Sequence, residues 1–129
     1  MPAPRLHRRP SPSIPGISDS VRVSVGDLVF ISGAVGMGPG GTAAPTFEAE
    51  IDLCFAEVSR ALTSAGCTLS DIVKITVFIV GLTPERVATF RAVRDRWVDP
   101  DEVPASTLLG VSALFSDAVS IEIEAVAAG

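Results

Sequence analysis

Two glutamates, Glu122 and Glu124, alternate with apolar residues in the run Ile121-Glu122-Ile123-Glu124-Ala125. In an extended strand they project from one face, roughly 7 Å apart at a rise of about 3.3 Å per residue. Like charges held that close favour retention of one proton, which suits a general acid or a base that activates water. The same alternation also fits a solvated edge face without chemistry, and the pattern alone leaves both readings open. Ser106 lies in a second strand-like run, Pro104-Ala105-Ser106-Thr107-Leu108-Leu109-Gly110-Val111. Its hydroxyl is expected to share a sheet face with the two carboxylates. Ser32-Gly33 closes a third apolar run and offers a backbone N–H to a carbonyl or carboxylate, although glycine at a strand end also serves simply as a turn.

Other chemistries find little support. Cys54 and Cys67 are the two cysteines and His7 is the one histidine. Across a helical segment the cysteines fall about 20 Å apart, too far for a disulfide. A lone histidine near the start allows neither a zinc site nor a Cys-His nucleophile pair, so no metal is expected. The net charge of −5 argues against a nucleic-acid partner. Arg86, Arg91, Arg94 and Arg96 cluster, but Asp95, Asp99, Asp101 and Glu102 interleave or follow them, as on a mixed-charge helix face. No apolar run reaches the roughly 20 residues of a membrane span. The start lacks the apolar core of a secretory signal, so a cytoplasmic location is expected.

These residues need elements to position them. At 129 residues, 47% apolar and 19% charged, the chain reads as one globular domain over 16–129 behind a flexible, basic, proline-rich arm over 1–15. Val21–Val25 and Leu28–Gly33, split by Gly26-Asp27, suggest a hairpin. A Gly/Pro-rich loop follows over 36–45. Thr46 then caps a helix with Glu48 and Glu50 in its first turn and Gly66 just past its end. Phe47, Ile51, Cys54, Phe55, Val58, Leu62 and Ala65 form its buried stripe. Asp71–Leu82, apolar on both faces, reads as a central strand covered on both sides. A second helix spans about Thr83–Trp97, with Val87, Phe90, Val93, Arg94 and Trp97 on one side. Strands at Ser106–Leu114 and Val119–Val126 complete an α+β order of ββαβαββ, one mixed sheet with two helices on one face. The uncovered face calls for self-association.

Three blocks carry a resemblance that spans nearly the whole chain: Gly26–Gly33, Ala65–Phe78, and Pro104–Leu114 with Ile121–Ala125. Together they resemble the Rid family, also called YjgF or L-PSP endoribonuclease-like. The resemblance implies a chorismate-mutase-like fold, a homotrimeric barrel, and small-molecule clefts between subunits. It also implies hydrolysis of enamines or imines by an activated water without metal or organic cofactor. By position, Gly33 matches the family's backbone contact at the ligand and Glu122 the glutamate that polarises the water. Ser106 stands where an arginine clamps the substrate carboxylate. Asp19 or a neighbour stands where many members carry a tyrosine, and Arg91 lies near a common asparagine. A serine supplies neither the charge nor the fork of a guanidinium, so carboxylate-bearing 2-imino acids are expected to bind poorly. The expected function is hydrolysis of another imine, enamine or related amine in the intersubunit cleft. A non-catalytic ligand-binding or regulatory trimer is the alternative, and the acidic charge weighs against an endoribonuclease.

Overall fold

The computed structural model describes residues 5–129, and the part of the expected arm that falls on residues 1–4 lies outside them. The first helix, α1, spans Phe47–Ser64, and Thr46 Oγ1 accepts from the Ala49 amide at 3.0 Å. Past its end Gly66 adopts φ 79°, and the Gly66 and Cys67 amides fold back onto the Thr63 and Leu62 carbonyls. That pair of bonds is a Schellman closure, which satisfies carbonyls the helix leaves open. Ile51, Cys54, Phe55, Val58 and Leu62 are fully buried, as their spacing requires. Phe47 is only half-buried and Ala65 is exposed. The second helix, α2, spans Pro84–Trp97, with Thr83 Oγ1 accepting from the Arg86 amide at 3.1 Å. Phe55 of α1 stacks on Phe90 and Trp97 of α2 at 6.0 and 6.1 Å between ring centroids, which couples the helices.

The strands are β1 (Arg5–Pro10), β2 (Ser18–Val25), β3 (Leu28–Val35), β4 (Ile72–Val80), β5 (Ala105–Val111) and β6 (Ile121–Ala128). They form one mixed sheet in the order β1-β2-β5-β4-β6-β3. β4 runs parallel to β5 and antiparallel to β6, which in turn pairs antiparallel with β3. Both helices pack on one face, where Ile75, Val77 and Ile79 of β4 meet Ile121, Ile123, Ala125 and Ala127 of β6 in a continuous core. No helix among the described residues is long and apolar enough to cross a membrane.

Four expectations are corrected. Arg5–Pro10, read as part of a flexible arm, is a strand paired antiparallel with β2. Its arginines, histidine and proline show no apolar alternation; the pairing itself makes it a strand. The expected hairpin across Gly26-Asp27 does not form, because β2 pairs with β1 and β3 with β6. Two β-rich runs split by a Gly turn specify a reversal but not a partner. Within one chain β4 is covered on one side only: its residues alternate between buried and half-buried, with Lys74, Thr76, Phe78 and Val80 on the helix-free face. β5 and β6 each end or begin away from the expected limits, at Ala105–Val111 and Ile121–Ala128.

Cys54 reports on how tightly α1 seats. Its Sγ donates to the Ala34 carbonyl at 3.0 Å, and burial pushes its thiol far above the ordinary range. A thiol held neutral is a poor nucleophile. An aromatic disulfide reagent at pH 8 should therefore leave Cys54 unmodified in the native protein and label it readily in denaturant. Rapid native labelling would mean that the α1–β3 contact opens.

Candidate functional site

Register decides which side chains can meet. Glu122 lies opposite Phe78 of β4 and Val35 of β3, and Glu124 lies opposite Thr76. Both carboxylates are thus on the helix-free face, because directly paired residues share a face. Glu122 is half-buried and Glu124 exposed. Phe30, Phe78, Leu109 and Val126 fall on the same face by register, and Phe30 is 75% exposed. This is the mixed apolar and acidic surface the alternation implied.

The ladder between β3 and β6 is irregular between Ile31 and Ala34, so Ser32 and Gly33 form a bulge. That bulge brings Gly33 under the Glu122 side chain. A Cβ built on Gly33 would lie 2.8 Å from Glu122 Cδ and closer still to Oε2. Only a glycine admits the carboxylate there. The two expected site residues on this face do come together.

A third carboxylate, one the sequence reading treated only as a helix-dipole partner, holds the strand that carries Glu122. Glu50 of α1 is 6% exposed, and its oxygens accept from Ser120 N at 2.7 Å, Ser120 Oγ at 2.6 Å and Ile121 N at 3.1 Å. Those donors replace the water that a buried carboxylate loses. Glu50 sits one residue before the apolar Ile51; a carboxylate adjoining the buried stripe was the available signal.

Ser106 is a correction. It pairs with Ile75, a core residue, so it points to the helix side of the sheet and not to the face of Glu122 and Glu124. The period-2 pattern within a strand could not say which parity of β5 matches which parity of β6. Ser106 instead lines a cavity of about 290 Å³ with Ile14, Ile17, Val87, Phe90, Leu108, Arg91 and Arg94. Arg91 and Ser106 thus line the same cavity. Asp19 is exposed on β2 and does not line this cavity. Arg94, read from the sequence as part of a mixed-charge helix face, is buried and lines the same cavity, with its Nε donating to Asp95 Oδ1 at 3.1 Å. Among the described residues no three His, Cys, Asp or Glu side chains converge as metal ligands.

The profile of the Endoribonuclease L-PSP family matches residues 11–129. The chain is 41% identical over 59 residues to the RutC family protein YjgH of Escherichia coli (strain K12), a stretch covering 46% of this chain and 45% of that protein. The matched stretch thus spans about half the length of this curated relative. Among solved structures it is similar to YyfB of Yersinia pestis, described as a protein of unknown function of the conserved Rid family. That likeness has TM-score 0.83 and 26% identity, covering 99% of this chain and 100% of the other. A solved protein YjgH gives TM-score 0.71 at 32% identity over 86% of this chain and 82% of the other.

The Gly33 contact yields a prediction. Gly33→Ala places a methyl where the Glu122 carboxylate lies, and that carboxylate, the far end of a flexible side chain, is the group able to give way. Urea denaturation should show a loss of at most about 1 kcal/mol, against a nearly unchanged Ser32→Ala control. A larger loss would mean that the bulge, and not the carboxylate, moves.

Proposed function

Because this chain belongs to the endoribonuclease L-PSP family, which includes the YjgF and Rid proteins, we propose that it hydrolyses a small imine, enamine or related amine. The observation that carries this reading is the Glu122 carboxylate seated on Gly33 at the helix-free sheet face. In this reading Glu122 holds a water and takes one of its protons as the oxygen attacks the imine carbon. A C–O bond forms, the C=N π electrons move to nitrogen, and Glu122 delivers the water proton there to give the carbinolamine. Glu122 then takes the carbinolamine hydroxyl proton as the C=O bond forms and passes it to nitrogen as the C–N bond breaks, releasing a carbonyl compound and an amine or ammonia. An enamine enters the same route after protonation at carbon. The Gly33 backbone N–H is the proposed contact for the ligand's carbonyl-like group.

The site is proposed to lie between copies of the chain. Ser106 and Arg91 are on the helix side of the sheet and Glu122 on the other, so one chain does not close a pocket around all three. The exposed Phe30 and Leu109 favour burial of the helix-free face against a second copy, and a homotrimer is the proposed assembly. Proton transfer and water suffice for this chemistry, so no cofactor is proposed, and the proposed location is cytoplasmic. Serine at position 106 favours a second reading, a non-catalytic ligand-binding or regulatory trimer. An endoribonuclease is the weaker reading: His7 lies on β1, at the opposite edge of the sheet from β3, hydrogen-bonded to Ser24 at 3.3 Å.

Light scattering at micromolar protein should give about three times the chain mass, and a monomer would sink the intersubunit site. Glu122→Gln, nearly isosteric, should keep fold and assembly while lowering turnover of an active imine about 10²–10⁴-fold. Glu124→Gln on the same face should have a much smaller effect. Equal, small effects would transfer the reading to the non-catalytic trimer.

A further inference from the structure

The strands β3 to β6 carry three charged residues between them, Lys74, Glu122 and Glu124, and all three lie on the helix-free face. Register sets them in rows. Thr76 of β4 has Thr107 of β5 on one side and Glu124 of β6 on the other. Lys74 is one row along, between Ala105 and Val126. It is therefore diagonal to Glu124, a separation of about 7–8 Å that a long side chain spans. The ammonium turns the other way: Nζ donates to the neutral Thr107 Oγ1 at 2.6 Å, on the β5 side. Among the described residues neither Lys74 nor Glu124 enters an ion pair, and the Glu124 carboxylate accepts no hydrogen bond.

Apolar neighbours make that arrangement costly once the face is covered. Ala105, Val126, Phe78, Leu109 and the exposed Phe30 share it. Burying such a surface strips water from both charges, and each then needs an opposite charge within reach. The ammonium leans to β5 while the carboxylate stands on β6, on opposite sides of β4. That asymmetry suits a head-to-tail contact, the β5 side of one copy against the β6 side of the next. A cyclic assembly also preserves height along its axis, so groups at similar levels meet. Along the strands Lys74 and Glu124 differ by two residues, about 7 Å, whereas Lys74 and Glu122 differ by four, about 13 Å. We propose that Lys74 pairs with Glu124 of the partner subunit, and that these pairs, repeated around the ring, fix the order and register in which the helix-free faces close. The inference rests on the homotrimer reading and on no hydrolytic step.

Light scattering over a dilution series of the full chain, wild type and charge variants, tests the pair. Lys74→Glu and Glu124→Lys each set like charges against one another at the contact. Each should raise the concentration of half-assembly about tenfold or more. The double reversal, Lys74→Glu with Glu124→Lys, restores opposite charges and should return it to within about threefold of wild type. Where a reversal fails to fold, the neutral variants Lys74→Gln and Glu124→Gln decide: each should weaken assembly, and both together by less than the product of the two separate factors. Glu124→Gln keeps an acceptor for the ammonium, so its turnover is compared at concentrations where the chain is assembled. Rescue of Lys74→Glu by Glu122→Lys, and not by Glu124→Lys, would overturn the choice of Glu124. A wild-type trimer whose half-assembly none of these variants moves, or independent effects in the neutral set, would overturn the pair and leave the homotrimer standing. A wild type that stays monomeric at every concentration would overturn both.

Discussion

Glu50 is a charged side chain placed where charge is costly, and it persists there because the Ser120 and Ile121 donors close around it. A buried carboxylate without such partners would neutralise or destabilise the fold. The consequence is geometric. The contact ties the first turn of α1 to Ser120 and to Ile121, the first residue of β6 and the one before Glu122. Because a strand repeats every two residues, a slip of one position would carry Glu122 into the core and expose Ile121 and Ile123. The helix-to-strand tie therefore sets the face on which Glu122 lies.

From that register the sheet separates two kinds of surface. On the helix side, branched aliphatics of β4 and β6 pack against Phe55, Phe90 and Val93, and the pair Ser106–Ile75 shows β5 contributing to the same layer. On the other side lie the two acidic residues, the bulge at Gly33 and exposed aromatic surface. A 129-residue chain with two helices can cover only one face of six strands. The separation also splits the polar groups: Glu122 lies on one side, and Ser106, Arg91 and Arg94 on the other.

Both helices were legible in the sequence almost to the residue. Thr46, Gly66, Thr83 and Pro84 act locally, and caps depend on neighbours in the chain. The parity within β6 was legible for the same reason, since it needs only alternation. Pairing was not. β1 went unread because nothing in Arg-Leu-His-Arg-Arg-Pro prefers a strand until β2 lies alongside. The Gly26-Asp27 turn was visible, but the partners of β2 and β3 are chosen by contacts far apart in sequence. Ser106 was put on the wrong face because relative parity between two strands is a tertiary fact. Arg94 was placed on the right side of α2, yet its burial depends on the loop at Gly16, which local periodicity does not encode.

The β1–β2 ribbon joins the main sheet at the single pair Ser18↔Ala105, supported by the Ser18 amide on the Pro104 carbonyl at 2.9 Å and the Ser18 hydroxyl on the Val103 carbonyl at 2.6 Å. A two-stranded ribbon has little stability of its own. The chain is therefore unevenly cooperative: β4, β5 and β6 share long ladders and exchange their amide protons only when the core opens. The ribbon can lift as a separate unit at much lower free energy. It is held at Ser18, four residues after Ile14 and one after Ile17 in the Ser106 cavity wall, and by Arg8 Nη2 donating to the Ser70 carbonyl at 2.7 Å. Lifting it would unroof that cavity without disturbing Glu122, giving the two halves of the candidate site different lifetimes.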